Sequence, residues 1–309
     1  MKVALIGTGL MGRPMGKRVL AAGYHLTVFN RSRDKAERLR SSGAEVAATT
    51  AEAIGSAECV LLMLTDGVAV REVLFNENPK PDLGQRTVIQ MGTISPTESI
   101  GFHKEVLERG GDYFEAPVLG SIPEASAGSL LVMMGASHVQ FERWSTFLQC
   151  FGPEPLLVGE VGKAAALKLA LNQLIASLTA GFAMSLGFVQ RQGIEMSLFM
   201  KIVRQSALYA ATFDKKLERM LNRDYANPNF PTKHLFKDVG LFRDEAEAVN
   251  LELRAIEGIR DLLALALDKG FIDDDYSALF EAVSPADTGH SALPREVRSK
   301  NPGDERQRE

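Results

Sequence analysis

Apolar residues divide the chain into two regions with different periodicity. Up to about residue 160, continuous apolar runs of strand length alternate with amphipathic helical segments. Unbroken apolar strands are typical of parallel sheets covered on both faces, and their alternation with helices indicates βαβ units. The sequence therefore predicts an α/β domain with a doubly wound, mostly parallel sheet. The runs lie at 3–6, 26–29, 60–64, 87–90 and 130–134.

Beyond residue 161 the pattern becomes helical, with almost no strand signal. Residues 163–191 form one long proline-free apolar segment, and helical periodicity continues to about residue 283. Gly193 and Gly270 interrupt it, as helix stop residues do. The chain after 285 is polar with few apolar groups, which is typical of disorder. We expect a sheet domain at 1–161, a long linking helix at 162–191, an all-α domain at 192–284 and a disordered tail at 285–309.

The composition is that of an ordinary globular protein, with 45% hydrophobic and 24% charged residues among 309. A net charge of −4 gives no electrostatic reason to expect nucleic acid or an anionic membrane as a partner. Cys59 and Cys150 lack C-x-x-C spacing, and the five histidines show no ligand spacing. We therefore predict buried free thiols and no metal site.

One apolar stretch, at 164–189, raises the question of a membrane span. Lys168, Asn172 and Gln173 interrupt it, and a charge inside a span is costly. We expect a helix buried inside protein and no membrane. Only four apolar residues precede Gly7, too few for an export signal, so we expect a cytoplasmic protein.

A glycine-rich loop, G-x-G-x-x-G, follows the first strand and opens a helix. Gly7 permits the tight turn, Gly9 lets backbone amides approach a pyrophosphate, and Gly12 brings the helix close to the strand. The alternative is a glycine-rich turn without a ligand. The loop predicts a dinucleotide site in a Rossmann-type domain, formed by Gly7, Thr8, Gly9, Leu10, Met11 and Gly12.

The end of the second strand indicates which dinucleotide is bound. A carboxylate usually stands there to bind the ribose 2′-hydroxyl of NAD. This chain has Asn30, Arg31, Ser32 and Arg33 instead. The planar guanidinium binds a phosphate through two parallel hydrogen bonds, so we predict NADP(H), with Arg31 as the deciding residue. The alternative for Arg33 is a solvated side chain at the start of the next helix.

Lys168 and Asn172 lie four residues apart, on one face of the long predicted helix. Their neighbours are apolar, and desolvation lowers the pKa of an amine toward neutrality. Such an amine can supply the proton that an alkoxide needs when an aldehyde is reduced by hydride. The alternative is a lysine whose head group reaches solvent from a core helix.

Four segments resemble the β-hydroxyacid dehydrogenase family, in particular its branch of glyoxylate/succinic semialdehyde reductases and 3-hydroxyisobutyrate dehydrogenases. The resemblance implies a Rossmann domain, a long helix and an all-α domain. It also implies hydride transfer between NADP(H) and a small carboxylated aldehyde or hydroxyacid. The segments occur in family order and are GTGLMGRPM at 7–15, EAPVLGS at 115–121, GEVGKAAALKLALN at 159–172 and FPTKHLFKD at 230–238.

The resemblance also implies roles for individual residues. Lys168 matches the catalytic general acid/base, and Asn172 matches the amide that orients substrate or lysine. Thr93 and Lys237 match cofactor contacts, and Phe230 lies near the cleft. A solvated helix face or an ion pair with the following aspartate is the alternative for Lys237.

Three further cofactor contacts are predicted from the sheet itself. Met63, Leu64 and Thr65 end a strand at the carboxyl edge, where dinucleotides bind in such folds.

The predicted substrate loop departs from the commonest family form. Leu119 stands where that form has a serine that helps to hold the substrate carboxylate. Gly120 and Ser121 remain, and their amides or the hydroxyl are able to bind an anion. We predict that these three residues contact the substrate, in a pocket made more apolar by Leu119; the substrate itself stays open.

Two other functions are compatible with parts of this pattern. Imine reductases resemble this fold but generally lack the lysine, and a catalytically silent dinucleotide-binding scaffold would not need it. The retained Lys168 favours the dehydrogenase. The resemblance further implies a homodimer or homotetramer formed through the helical domain, where Gly181, Ser185 and Gly187 allow close helix packing.

Overall fold

A computed structural model of the chain describes residues 1–286. The predicted disordered tail therefore lies, from residue 287 onward, outside the described residues. Nine strands join in one sheet. They are β1 (Lys2–Ile6), β2 (His25–Phe29), β3 (Glu45–Val46), β4 (Cys59–Leu62), β5 (Thr87–Gln90), β6 (Asp112–Glu115), β7 (Val118–Leu119), β8 (Leu131–Gly135) and β9 (Leu156–Gly159).

The sheet is parallel across its first six strands, in the order β3-β2-β1-β4-β5-β6. Strand β8 then pairs antiparallel with β6 and β7, and β9 pairs parallel with β8. The strand order reverses between β1 and β4, and ligands bind at the carboxyl edge of such a switch point. The predicted doubly wound, mostly parallel fold is confirmed.

Helices cover both faces of the sheet. Val3 and Leu5 pack into one apolar core, while Ala4 and Ile6 pack into the other, so β1 is buried on both sides. This two-sided burial explains why the strands are continuously apolar. The helices of this part are α1 (Gly12–Ala21), α2 (Arg33–Glu37), α3 (Thr50–Gly55), α4 (Gly67–Arg71), α5 (Pro96–Glu108), α6 (Ile122–Ala127) and α7 (His138–Leu148).

From residue 163 to 283 the chain is helical and has its own apolar core. The rings of Phe182 and Phe213 stack there with centroids 4.6 Å apart. A 3₁₀ turn, Tyr276–Leu279, precedes the last helix. The helices are α8 (Lys163–Arg191), α9 (Met196–Gln205), α10 (Ala211–Asn222), α11 (Thr232–Ala248), α12 (Arg254–Asp268) and α13 (Phe280–Val283).

Helix α8 is long and apolar enough to span a membrane by length and composition. Helices α10 to α13 pack against it, and 44% of its most apolar window is buried. The expectation of a helix buried inside the protein is therefore only partly correct. One face enters the core, whereas Leu174, Met184 and Phe188 are more than half exposed because no other element among residues 1–286 covers them.

Candidate active site

A cavity of about 780 Å³ lies between the two domains, at the carboxyl edge of the sheet. The phosphate loop, the ends of β4 and β5 and the loop after β7 form one side, and α8, α10 and α11 form the other. Predicted residues that line it are Gly9, Leu10, Met11, Gly12, Met63, Leu64, Thr65, Thr93, Leu119, Gly120, Ser121, Lys168, Asn172, Phe230 and Lys237. Gly7, Thr8, Asn30, Arg31 and Ser32 lie outside its lining.

The phosphate loop has the geometry that an anion requires. Gly7 has φ +98°, and a Cβ there would overlap the Met63 carbonyl oxygen. A Cβ at Gly12 would overlap the Gly7 carbonyl, whereas Gly9 faces open space. Helix α1 begins without a side-chain cap, and the buried hydroxyl of Thr8 has no partner within residues 1–286. The loop thus offers space and free donors to a pyrophosphate.

Asn30 joins the end of β2 to this loop. Its Oδ1 accepts a hydrogen bond from the Thr8 amide at 3.0 Å, and its Nδ2 donates to the Ser32 carbonyl at 3.0 Å. The asparagine therefore holds the tip of β2 in place beside the glycines.

The two arginines at this tip have different surroundings. Arg33 forms an ion pair with Glu37 at 3.1 Å on the surface of α2. Arg31 is exposed, and no carboxylate of the described chain lies within ion-pair distance of it. Arg31 is thus the guanidinium available to a ligand at the end of β2.

Lys168 is buried in the wall of the cavity, with 9% of its surface exposed. Burial lowers the pKa of its amine from 10.5 to about 8; the Asp238 carboxylate opposes this shift, and Lys237 adds to it. Its Nζ donates to no oxygen within the part of the chain that the structure describes. A buried amine with a near-neutral pKa and no protein partner is suited to exchange a proton with a ligand.

Asp238 lies at the centre of this group, 2% exposed. It accepts a hydrogen bond from Asn172 Nδ2 at 2.6 Å and lies 2.8 Å from Lys237 Nζ. The Oδ1 of Asn172 is buried and unpaired within residues 1–286, so the amide keeps an acceptor free. From the sequence, Asp238 was predicted only as an ion-pair partner of Lys237, because its proximity to α8 depends on helix packing.

Lys237 connects the helical domain to the sheet. Its Nζ donates to the carbonyl oxygens of Thr65 and Thr93, each at 2.7 Å. These carbonyls follow β4 and β5, so three predicted cofactor contacts meet at one point on the carboxyl edge.

The substrate loop has its own carboxylate partner. The amide and hydroxyl of Ser121 both donate to Glu124 at 2.8 Å. These bonds, the amide first, lower the pKa of Glu124 to about 2, although burial opposes the shift. The Ser121 amide and hydroxyl were predicted to be available to an anion, but in this structure Glu124 occupies both donors. The motif [ST]-x-x-E at 121–124 was a readable signal for this capping box.

A second carboxylate, Glu115 at the end of β6, holds the start of α8. It is fully buried and accepts hydrogen bonds from the amides of Gly162 at 2.9 Å and Ala165 at 2.8 Å, and from the Ser99 hydroxyl. Burial raises its pKa, while these donors oppose that shift. The sheet domain thus fixes the start of α8, five residues before Lys168.

The α10 side of the cavity contains lysines that sequence reasoning missed. Lys216 Nζ lies 2.7 and 2.8 Å from the two carboxylate oxygens of Asp275, and 4.1 Å from the centre of the Tyr276 ring. Its neighbour Lys215 reaches Glu124 across the cleft at 3.4 Å. These contacts join segments that are distant in the sequence, so they cannot be predicted from a local sequence pattern.

Comparison with known families agrees with this geometry. Residues 2–160 match the NAD binding domain of 6-phosphogluconate dehydrogenase, and residues 162–283 match the NAD-binding region of NADP-dependent 3-hydroxyisobutyrate dehydrogenase. The chain belongs to the β-hydroxyacid dehydrogenase family. It is therefore related to NAD(P)-dependent oxidoreductases that act on hydroxyacids, as the four sequence motifs implied.

Individual members of this family align over most of both chains. The 2-hydroxy-3-oxopropionate reductase of Escherichia coli is 32% identical over 286 residues, which span 92% of this chain and 97% of that protein. The chloroplastic glyoxylate/succinic semialdehyde reductase 2 of Arabidopsis thaliana is 29% identical, spanning 92% and 80%.

Solved structures show the same fold. The 3-hydroxyisobutyrate dehydrogenase of Mycobacterium tuberculosis, solved with L-serine, superposes with a TM-score of 0.82 at 22% identity, covering 91% of this chain and 98% of that chain. An imine reductase from Myxococcus stipitatus, solved with NADP+, superposes with a TM-score of 0.63 at 21% identity, covering 92% and 100%.

Proposed function

We propose that this chain is an NADPH-dependent reductase of small carboxylated aldehydes, reversible as a hydroxyacid dehydrogenase. The observation that carries the proposal is Lys168, a buried amine without a protein partner in the described chain, facing a cavity at the dinucleotide edge of the sheet. The names of the Escherichia coli and Arabidopsis relatives support an aldehyde bearing a carboxylate as the substrate.

The residues present fit NADP(H). The open space at Gly9, the uncapped start of α1 and the unpaired Thr8 hydroxyl suit the pyrophosphate, and Arg31 suits a 2′-phosphate. Thr93 and its neighbours at the sheet edge would hold the nicotinamide side. When bound, NADPH supplies the hydride.

Lys168 has the role of proton donor in this proposal. When the carbonyl carbon accepts that hydride, the C=O π pair would move to the oxygen, and Lys168 Nζ would supply the proton that completes the alcohol. The ammonium also stabilises the developing alkoxide. Asn172 offers its free Oδ1 to the substrate or to the lysine, and Asp238 holds Asn172 in place and keeps Lys168 protonated near neutral pH.

The first test measures oxidation of NADPH and of NADH with glyoxylate, succinic semialdehyde and methylmalonate semialdehyde. We expect turnover with NADPH that is lost in Lys168→Ala and kept in Lys163→Ala, which removes an exposed lysine from the same helix. Equal turnover by Lys168→Ala would contradict the mechanism, and equal use of NADH would contradict the role of Arg31.

Imine reduction is the second candidate, favoured by the fold likeness to the Myxococcus enzyme. Measuring NADPH oxidation with a cyclic imine in the same assay distinguishes imine reduction from aldehyde reduction. Faster turnover of the imine than of any aldehyde would replace our first proposal.

A second copy of this chain is the partner that we propose for the uncovered face of α8. Leu174 and Leu178 lie four residues apart, as do Met184 and Phe188, and the four side chains are 51%, 39%, 54% and 64% exposed. Exposed apolar side chains clustered along one helix are typical of an interface between subunits, and the family resemblance implies a dimer or tetramer formed through this domain.

A further inference from the structure

Helix α11 crosses the carboxyl edge of the sheet, and contacts along its length show the direction of the crossing. Near its C-terminal end, the Glu245 carboxylate accepts hydrogen bonds from the amide and hydroxyl of Thr97, at the start of α5. About two turns earlier, Lys237 donates to the carbonyls of Thr65 and Thr93, which follow β4 and β5. This half of α11 therefore lies over the β4 and β5 end of the edge.

The N-terminal end of α11 lies near α2, the helix that follows β2. Lys233, in the first turn of α11, forms an ion pair with Asp273. Lys233 lowers the pKa of Asp273 most, and His234 and Lys35 of α2 add smaller effects of the same sign, which require that these groups be close in space. Strand β1 stands between β2 and β4. Helix α11 therefore passes over the end of β1.

His234 is the residue of α11 that stands at this level. It lies three residues before Lys237, which is about 4.5 Å along the helix axis, and neighbouring strands lie about 4.8 Å apart. One strand spacing from β4 toward β2 leads to β1, whose end continues into the phosphate loop. The histidine and the loop line the same cavity from opposite sides.

The imidazole of His234 is available to a ligand. It is half-buried and makes no hydrogen bond within the described chain. Burial, followed by Lys237, lowers its pKa below the ordinary 6.5, and Lys233 adds to the shift. The carboxylates of Asp238 and Asp273 oppose it. Because a neutral imidazole keeps one N–H and the cation has two, the ring is able to donate to an anion in either state.

The phosphate loop by itself meets an anion only with neutral donors. Residues 7–12 contain no charged side chain, so the start of α1 offers amides and the Thr8 hydroxyl. On the facing wall, Lys237 is already bonded to two carbonyls and to Asp238. Among the basic residues of α11 that line the cavity, His234 is the one left without a partner in the described structure.

We propose that His234 binds the pyrophosphate of the dinucleotide from the helical domain, so that the phosphates lie between the imidazole and the glycine loop. This inference rests on the proposed function, because it takes NADP(H) as the cofactor of the cavity. The imidazole contributes to cofactor affinity and takes no part in the proton transfer assigned to Lys168.

The test measures Kd by titration calorimetry for three ligands. They are NADPH, 2′-phospho-ADP-ribose, which keeps the pyrophosphate but lacks nicotinamide, and 2′-AMP, which keeps the 2′-phosphate but lacks the pyrophosphate. In His234→Leu we expect Kd to rise about 10-fold or more for the first two, the range for a hydrogen bond to a charged group, and to change less than about twofold for 2′-AMP. His234→Gln, which keeps an N–H donor, should retain part of the affinity.

The matched control is His25→Leu. It removes an exposed histidine from the start of β2, at the amino edge of the sheet and therefore away from the cavity. This variant should bind all three ligands as the wild type does.

Three results would overturn the inference. Equal weakening of all three ligands in His234→Leu would show that the histidine only supports the fold of the cavity. Weaker binding of NADPH alone would place it at the nicotinamide half, and wild-type affinity for every ligand would remove it from the site. Each leaves the proposed function standing if NADPH-dependent turnover still requires Lys168. Conversely, His234-dependent binding of 2′-phospho-ADP-ribose by a wild type that reduces no aldehyde would contradict the proposed function alone.

Discussion

The protonation of Lys168 depends on one buried carboxylate, that of Asp238. Burial alone would take the pKa of Lys168 lower than about 8, and the charge of Asp238 opposes that shift. In Asp238→Asn the side chain keeps its shape and can still accept the hydrogen bond from Asn172. A nearby opposite charge shifts a pKa by about 1–3 units, so its removal should lower the pKa of Lys168 to about 7 or below.

The expected effect has a definite sign and size. Reduction needs the protonated amine, so the rate is constant below the pKa of Lys168 and falls as the pH rises through it. With pKa values of about 8 and about 7, the protonated fraction at pH 7 is about 0.9 in the wild type and about 0.5 in the variant, and lower still if the shift is larger. Measuring kcat for NADPH-dependent reduction at saturating substrate, from pH 5.5 to 9.5, should show the inflection move down by at least about one unit.

The control is Asp273→Asn, which removes a carboxylate paired with Lys233 on the surface of the same domain. Its profile should coincide with that of the wild type. An inflection in Asp238→Asn within about 0.3 units of the wild type, or above it, would refute the assigned electrostatic role. A decrease in kcat of equal size at every pH would show that Asp238 only positions Asn172.

Four further predictions follow from the site and its surroundings. Lys168→Ala should lower kcat by about 10²- to 10⁴-fold with NADPH binding unchanged, as fluorescence titration of the cofactor would show. Arg31→Ala should raise KM for NADPH by about 10-fold or more and leave KM for NADH unaltered. Glu115→Ala should lower the free energy of unfolding by about 3 kcal/mol in urea titrations, because it leaves buried amides at the start of α8 unpaired. Phe188→Glu should halve the mass measured by light scattering, and an unchanged mass would exclude this face from the subunit interface.

Features that depend only on residues close together in the chain were predictable from the sequence. The apolar strands, the glycine loop and the pair Lys168 and Asn172 each depend on spacing within a few residues, and the structure places them at one sheet edge. Short strands such as Asp112–Glu115 were missed, because a charged residue in a strand argues against burial. Glu115 is buried there only because it binds amide groups some 50 residues further along.

Tertiary packing decided the electrostatics of the site. Asp238 and Asn172 form a hydrogen bond although they are 66 residues apart in the sequence, and Asp275 and Lys216 are 59 residues apart. Neither pairing can therefore be predicted from local spacing. The sequence by itself determined that a lysine stands on an apolar helix. Only the packing of α11 and α10 against α8 decided which carboxylate opposes the effect of burial on its pKa and which second ammonium faces the same cavity, because Coulomb interactions depend on distance in space.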